Sequence, residues 1–468
     1  MASTYIQRTF SGAGNRKTWT MSMWMKRTVN VPSGTDRVWG WKSGGGNYGF
    51  QFDNDQLRFY LVAGGSSAEF LTNRHFRDIN GWYHLVAKCD TTQSTASDRF
   101  KLYINGVLET SFSTATYPNQ NEDTAINQAE ICRLGCNVVA TNSFFEGLLS
   151  HVHFTDGYAY DASTFGSTDA TTGEWKINTN PSITMGTNGF TILKDGNTIT
   201  DQSSNSNDFT LGAGTLTPTV DNPSNCFATL NPLTRINASS SKSFNNANTT
   251  FEVTNNNWGE AMSTLAVSSG KYYVEFNIEK LESSNGYAQV GVMDYPLWGS
   301  TNNTYQYFLS NAASAGLGLD HRTGQSGVRS AASVVSSNVG DFSNGDKIGL
   351  AVDMDNKAMY VHLNGTYYQV GGVTGVPTSG ASKTGALTIP AACTLVGIGC
   401  ACYSTDARIA ANYGNGYFRT TAVSSAQNPD DGKGIFEYDV PAGYTALSTG
   451  GLNPVSYTHL TLPTSDLV

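Results

Sequence analysis

The chain has 468 residues, which is enough for roughly two or three domains with separate hydrophobic cores. Only 14% of the residues are charged, and the 49 glycines occur among many Ser, Thr and Asn residues, a composition typical of short strands joined by turns. The net charge of −9, without any basic run, excludes nucleic acid as an expected partner, and no apolar stretch approaches the ~20 residues that span a bilayer.

Residues 1–165 predict a first β-sandwich domain. Residues 19–27 alternate between apolar and polar side chains, which predicts a half-buried strand. Residues 82–106 predict a β-hairpin that ends at Asn105-Gly106, a dipeptide suited to a turn with positive φ at both central positions. Because no window shows a clear helical period, the regular short strands favour an all-β sandwich.

Residues 166–235 are rich in Thr, Asn, Gly and Ser and predict a polar connector. Two strand-like islands lie within it, at residues 190–193 and 209–211. We interpret this segment as a connector able to add edge strands to the first domain, rather than as free coil.

Residues 236–453 predict a second β-sandwich domain. Residues 271–278 alternate cleanly, and residues 347–365 repeat the hairpin design and end at Asn364-Gly365. The segment 298–320 combines turn and aromatic residues, which predicts a long surface loop.

This second domain resembles a SPRY domain. The resemblance rests on SSGKYYVEF at 268–276, AQVGV at 288–292, GDKIGLAVD at 345–353, MYVHLNG at 359–365, AANYG at 410–414 and PAGYTAL at 441–447. It implies a bent antiparallel β-sandwich that binds partners through the loops at one end.

The first domain resembles the concanavalin-like lectin or laminin-G (LamG) sandwich. This resemblance rests on residues 19–27, 82–87, 101–106 and 147–154. The tandem order of the two sandwiches resembles virion proteins of aquatic tailed phages. It implies a tail-fibre-like or other surface-exposed virion component, made in the host cytoplasm and located on the virion.

The two ends of the chain carry separate expectations. The N-terminal residues 1–8 lack the apolar core of a signal peptide, so we expect a soluble protein made in a cytoplasm. The segment from Val455 to Thr464, VSYTHLTLPT, resembles the translation of a sequencing adapter. Residues 454–468 are therefore expected to be an artefact, with the natural sequence diverging after about residue 453.

The acidic residues and the serines do not form a recognisable catalytic motif. Lectin-like glycoside hydrolases need two carboxylates that flank the scissile bond. The acid pairs here lack a third acid at strand spacing: Asp53 and Asp55, Glu279 and Glu282, Asp353 and Asp355, and Glu437 and Asp439. Asp353 and Asp355 bracket a hairpin turn, where they are expected to cap backbone amides. Since Gly-x-Ser-x-Gly is also absent, we expect no enzyme activity.

Metal chemistry has equally weak support. His151 and His153 are predicted to share one strand face, but no third ligand lies at matching spacing. The seven cysteines are irregularly spaced and are predicted to be reduced interior residues. We therefore expect no cofactor, with calcium left as an unassigned alternative.

Binding chemistry is carried by aromatic residues next to polar loops. Aromatic faces stack on sugars, whereas Asn, Asp and Gln bind their hydroxyl groups. The candidate ligand-binding residues are Trp298, Tyr305, Tyr307, Trp39, Trp41 and Tyr48. Trp39 and Trp41 share one strand face, so the hydrophobic core is the alternative place for both.

The sequence thus predicts an all-β protein of two antiparallel, jelly-roll-like sandwiches that binds without catalysis. The expected partners are a host-surface glycan or protein and other virion proteins, with homo-oligomerisation left open and no membrane insertion. Two alternatives remain: a cellular or secreted glycan- or protein-binding module, and a glycoside hydrolase with an unrecognised site.

Overall fold

The computed structural model describes residues 3–30, 34–194, 196, 198–234, 241–281, 287–295, 316–321, 326–330, 333–337, 341–405 and 407–452. The helices given for these ranges are α1 (Ala96–Arg99), α2 (Thr449–Leu452) and the 3₁₀ turns Ala162–Thr164 and Pro377–Ser382, all of them short. Strands make up the rest of the regular structure, so the predicted all-β fold class is confirmed. None of the helices in the described part of the chain is long and apolar enough for a membrane span.

The first sandwich is built from β1 to β16. Its strands are β1 (Tyr5–Thr9), β2 (Thr18–Arg27), β3 (Thr35–Ser43), β4 (Gly46–Asp53), β5 (Gln56–Ala63), β6 (Ser66–His75), β7 (Trp82–Asp90), β8 (Phe100–Ile104), β9 (Val107–Leu108), β10 (Phe112–Thr116), β11 (Ile131–Leu134), β12 (Gly147–Asp156), β13 (Gly166–Thr168), β14 (Trp175–Ile177), β15 (Phe190–Ile192) and β16 (Thr210–Ala213).

These strands form two antiparallel sheets and a small hairpin. Over the described residues, an eight-stranded sheet has the order β10-β6-β5-β4-β3-β11-β1-β16, and a six-stranded sheet has the order β15-β12-β2-β7-β8-β9. An aromatic core fills the space between them: the Trp39 ring lies 6.4 Å from Trp19 and 6.3 Å from Phe154. The connector contributes β15 and β16 as edge strands, paired with β12 and β1.

Strand β2 is buried on both faces, whereas its alternation had predicted a half-buried strand. Trp19, Met21, Met23 and Met25 face the core, but the alternate residues Thr20, Ser22, Trp24 and Lys26 are buried as well. The second face is covered by chain that follows β12, including Phe165 and Trp175, which pack beside β7. Polar residues in this strand are therefore interior residues with specific partners.

The second sandwich is built from β17 to β35. Its strands are β17 (Lys242–Asn245), β18 (Thr250–Val253), β19 (Trp258–Met262), β20 (Lys271–Lys280), β21 (Ala288–Asp294), β22 (Gly316–His321), β23 (Gly327–Ser330), β24 (Ser333–Ser337), β25 (Lys347–Asp353), β26 (Ala358–Leu363), β27 (Thr366–Tyr367), β28 (Gln369–Val370), β29 (Val373–Thr374), β30 (Leu387–Thr388), β31 (Val396–Tyr403), β32 (Arg408–Asn412), β33 (Tyr417–Phe418), β34 (Thr421–Ala422) and β35 (Thr445–Ala446).

Two sheets again enclose one core. The first has the path β17-β18-β32-β20-β25-β26-β27, and the second has the order β19-β31-β21-β22-β23-β24. Apolar residues of both sheets, such as Val274, Phe276, Val290 and Leu350, lie in this core. The outer face of the first sheet is covered by the C-terminal part of the chain, where the Phe436 ring lies 5.0 Å from that of Tyr273.

The two predicted hairpins are confirmed, together with their turn chemistry. β7 pairs with β8, and β25 pairs with β26. Asn105 and Gly106 have φ of 48° and 78°, and Asn364 and Gly365 have φ of 50° and 85°. Because Asn and Gly tolerate positive φ, the two dipeptides form two-residue turns at the ends of these hairpins, where they join β8 to β9 and β26 to β27.

Candidate functional site

Trp39 and Trp41 are core residues, which corrects their place among the candidate ligand-binding residues. Both side chains are completely buried. The indole N–H of Trp39 donates to the Cys132 sulfur at 3.2 Å, and that of Trp41 donates to the Gln128 carbonyl at 3.1 Å. Neither ring presents a face to solvent, so neither can stack on a sugar. Both residues therefore lie in the hydrophobic core, which was the alternative indicated by their shared strand face.

Tyr48 is half-buried and lies at the surface end of the same core. Its ring stacks on Tyr60 with a centroid separation of 5.4 Å, and the Arg58 guanidinium lies 5.5 Å from the Tyr60 ring. Burial raises the pKa of the Tyr48 phenol. A ligand role for Tyr48 stays a prediction. Trp298, Tyr305 and Tyr307 lie outside the described residues, so their role also stays a prediction.

Ser22 in β2 and His84 in β7 form a buried pair whose side chains are as close as a catalytic serine and its general base. The histidine nitrogen that faces the serine, however, carries a proton. Ser22 Oγ lies 2.9 Å from His84 Nε2, and the indole N–H of Trp175 donates to His84 Nδ1 at 3.0 Å. Burial lowers the pKa of His84 to about 3, so the ring is neutral. Because Nδ1 accepts the indole proton, Nε2 carries the imidazole proton and donates it to Ser22. The histidine therefore cannot take a proton from this serine.

The carboxylates of the hairpin turn in the second domain serve the backbone, as predicted. Asp353 accepts the Asn356 amide N–H at 2.9 Å, and Asp355 accepts the Gly270 amide N–H at 2.7 Å. Asp353 also pairs with Lys271 at 3.3 Å. These contacts stabilise the turn and place neither carboxylate in an open cleft.

A second titratable cluster lies beneath the C-terminal part of the chain. Glu275 is fully buried and accepts the backbone N–H groups of Glu437 and Tyr438, each at 2.9 Å. The Tyr273 hydroxyl donates to Glu275 at 3.1 Å and lies 2.5 Å from His362 Nε2. Burial raises the pKa of Glu275 to about 7 and lowers that of His362 to about 4. The cluster anchors the covering segment to the sheet.

The His151 and His153 pair is interrupted by a bulge. The pairing of β12 with β2 shifts register between Ser150 and His153, and His151 has a φ of 47°. Each histidine has a hydroxyl neighbour: Ser150 Oγ lies 2.8 Å from His151 Nδ1, and Thr191 Oγ1 lies 2.9 Å from His153 Nδ1. Among the described residues, no group of three or more His, Cys, Asp or Glu side chains could hold a metal ion.

A cleft with a volume of about 850 Å³ lies between the two sandwiches. The first domain contributes the start of β1, residues 28–30 after β2 and the start of β12. The connector contributes residues 214–221, and the second domain contributes the β17–β18 hairpin and residues 415–420. This volume falls within the range of roughly 300–1,000 Å³ for small-molecule sites in proteins. We call it the interdomain cleft.

The interdomain cleft is bordered by a buried ion pair that joins the first domain to the connector. Lys26 Nζ lies 2.8 Å from Asp221 Oδ2 and 3.2 Å from the Cys226 sulfur. The Trp82 indole N–H donates to the second oxygen of Asp221 at 3.1 Å. Asn248 of the second domain donates to the Thr28 carbonyl at 2.7 Å. These contacts hold both walls of the cleft in one arrangement.

The first domain matches a known family. Residues 2–164 match the Laminin_G_3 model. Its description is the concanavalin A-like lectin/glucanases superfamily. The segment with this match contains the first-domain residues quoted above for the LamG resemblance. No curated protein sequence matches the chain.

Three solved structures that align with parts of this chain are similar to it only at a low level. The SPRY domain of human HERC1 is 13% identical, with 39% of this chain and 96% of that chain covered and a TM-score of 0.27. A heptameric SAP-like pentraxin from Limulus polyphemus is 13% identical, with 46% and 90% covered and a TM-score of 0.28. Mouse laminin alpha1 chain domains LG4-5 are 8% identical, with 96% and 86% covered and a TM-score of 0.27.

Proposed function

We propose that this protein binds without catalysis, as a virion-associated, tail-fibre-like component that recognises a glycan or a protein on the host surface. The observation that carries the binding role is the match of residues 2–164 to the concanavalin A-like lectin/glucanases superfamily. The virion role is supported by the tandem order of the LamG-like and SPRY-like segments. The expected partners are the host-surface molecule and other virion proteins.

The side-chain geometry supports binding over hydrolysis. The Ser22 hydroxyl accepts a hydrogen bond from His84 Nε2 instead of donating one, because Trp175 donates to the other ring nitrogen. Asp353 and Asp355 bind backbone amides in a turn. A glycoside hydrolase needs two carboxylates on opposite sides of a substrate-sized gap. Neither arrangement supplies a base or a carboxylate pair facing a cleft.

Several copies acting together would give the protein a high apparent affinity for the host surface. A single shallow site for a neutral glycan binds weakly, and linked copies raise the apparent affinity through a high effective concentration. We therefore expect the protein to act as a homo-oligomer or in many copies on a particle. Calcium remains an unassigned alternative ligand.

The test combines location and binding. Purified particles are analysed by mass spectrometry for this chain, and the labelled full-length protein is titrated onto host cells. We expect the chain on particles and saturable cell binding that a soluble surface glycan or surface protein competes away. A strictly monomeric protein that is absent from particles would contradict the virion role. Cell binding without a virion location would favour a cellular or secreted binding module.

A further inference from the structure

We propose that the interdomain cleft binds an uncharged oligosaccharide that contacts both sandwiches and the connector. This inference rests on the proposed binding function and adds to it the site and the class of ligand. The cleft volume of about 850 Å³ is near the upper end of the range for small-molecule sites, which suits a chain of sugars better than a single ring.

The cleft is held in shape before any ligand arrives. The Lys26–Asp221 ion pair, with an Nζ–Oδ2 distance of 2.8 Å, is almost completely buried. Asn248 donates to the Thr28 carbonyl across the two domains at 2.7 Å, and the Asn80 side chain lies 3.1 Å from the Thr264 hydroxyl. Because the walls are already fixed, binding would lose little conformational entropy.

The lining carries the chemistry that recognises sugars. It combines apolar side chains with hydroxyl and amide side chains, the latter including Thr28, Thr217, Thr229, Asn246 and Asn415. The half-buried rings of Phe244 and Tyr417 lie along the same surface. Hydroxyl and amide groups both donate and accept hydrogen bonds, as sugar hydroxyls do, and ring faces can cover the apolar faces of sugars.

Within the described part of the chain, three buried oxygen atoms along the cleft have no hydrogen-bond partner: Asn30 Oδ1, Thr229 Oγ1 and Asn415 Oδ1. Thr229 and Asn415 are only 4% and 7% exposed. A buried polar atom without a partner is costly, so native structures rarely keep one without a reason. Three such atoms along one cleft indicate sites for hydroxyl donors of a ligand.

The charges along the cleft argue against an anionic ligand. Among the described residues that line it, the cationic side chains are Arg408 and Arg419. Arg408 lies 2.8 Å from Glu252, and Arg419 lies 3.7 Å from Glu279. Binding a sulfated or carboxylated glycan would require breaking one of these pairs, and the chain's net charge of −9 would repel it further. A neutral oligosaccharide avoids both costs.

The first test blocks the cleft. Thr215 lines it with an exposed residue, and its hydrogen bonds to Thr4 use only the Thr215 backbone. Thr171 is likewise an exposed threonine, outside the cleft, and its backbone N–H donates to Asp169. Neutral hexasaccharides of glucose and of mannose are titrated by calorimetry into the full-length protein. We expect Thr215→Trp to weaken binding by at least about tenfold and Thr171→Trp to leave it unchanged.

The second test removes one orphan oxygen. Thr229→Val deletes a buried hydroxyl that has no partner, so the folded protein should melt at the same or a higher temperature. The same change removes a proposed acceptor for a sugar hydroxyl, so hexasaccharide binding should weaken by roughly fivefold. A variant that loses binding and stability together would indicate a structural role for Thr229 and would overturn this part of the inference.

The outcomes separate this inference from the proposed function. Weaker binding in Thr215→Trp and Thr229→Val, with Thr171→Trp unchanged, supports the cleft. Hexasaccharide binding that ignores Thr215→Trp overturns the cleft but leaves a glycan-binding protein. Binding of sulfated hexasaccharides alone overturns the ligand class. If the wild type binds neither neutral hexasaccharide at millimolar concentration, the cleft inference fails, and host-cell titration alone decides the proposed function.

Discussion

Replacing Lys26 with methionine should uncouple the first domain from the connector at a large cost in stability. The ammonium is fully buried and lies 2.8 Å from Asp221. Methionine has a similar length and no charge, so the substitution removes the charge while largely filling the space. It leaves the Asp221 carboxylate buried with only the Trp82 indole and the Phe227 backbone N–H as donors.

The expected loss of stability follows from the Asp221 carboxylate, which stays buried without its cationic partner. Removing one partner of a buried ion pair typically costs about 3–5 kcal/mol, because the remaining charge stays desolvated. Burial alone would lower the pKa of Lys26, but Asp221 and Cys226 raise it, and the net direction is upward. The pair's contribution is therefore present below the ordinary lysine pKa of 10.5 and is lost as the pH rises through the folded-state pKa.

Urea unfolding at neutral pH, followed by tryptophan fluorescence, measures the change. The matched control is Lys176→Met, since Lys176 lies 2.6 Å from Asp169 with a half-exposed side chain, and exposed pairs contribute less than about 1 kcal/mol. Adding Asp221→Asn to Lys26→Met should recover much of the loss. A cost below about 1 kcal/mol for Lys26→Met alone would refute the argument that this pair is a buried junction.

Three further predictions concern buried groups. Burial raises the folded-state pKa of Glu275 from 4.5 to about 7, so Glu275 itself should contribute about 3 kcal/mol less stability at pH 8 than at pH 4.5. The buried His84 and His362 act in the opposite direction, so the quantity to measure is the difference in unfolding free energy between the wild type and Glu275→Gln. In urea unfolding this difference should shift in favour of the glutamine variant from about pH 5 to about pH 8, and an unchanged difference would contradict the prediction. Trp39→Ala should lower the unfolding free energy by about 3–5 kcal/mol, because it leaves a cavity in the core. Trp39→Phe should leave glycan binding unchanged, and weaker glycan binding by this variant would show that Trp39 contacts the ligand. Ester hydrolysis by the wild type should stay at the buffer rate, because His84 donates to Ser22; activity that Ser22→Ala abolishes would show a working nucleophile.

Local chemistry made the hairpins predictable. The Asn-Gly dipeptides at Asn105 and Asn364 follow alternating strands, and only a few residue types adopt positive φ without strain. The apolar face of β2 was predictable for the same reason, because the two-residue alternation of apolar side chains is visible within a few residues of sequence.

Long-range contacts were not predictable in this way. Lys26 has the sequence position of a solvent-facing residue, but it is buried because Asp221 approaches from a segment 195 residues away. The alternation around Trp39 and Trp41 placed both residues on one strand face but left open whether that face lies in the core or at the surface. A strand period does not show which face of a sheet is covered by another sheet. The interdomain cleft is formed by segments from three parts of the chain, and no local pattern marks their meeting point.

The most direct test of the central claim measures binding and cleavage on the same sample. The full-length protein is equilibrated with each neutral hexasaccharide, binding is measured by calorimetry, and the recovered sugar is assayed for new reducing ends. We expect saturable binding with the hexasaccharide recovered intact. Release of shorter sugars, abolished by an acid-to-amide substitution, would contradict it and show a glycoside hydrolase instead.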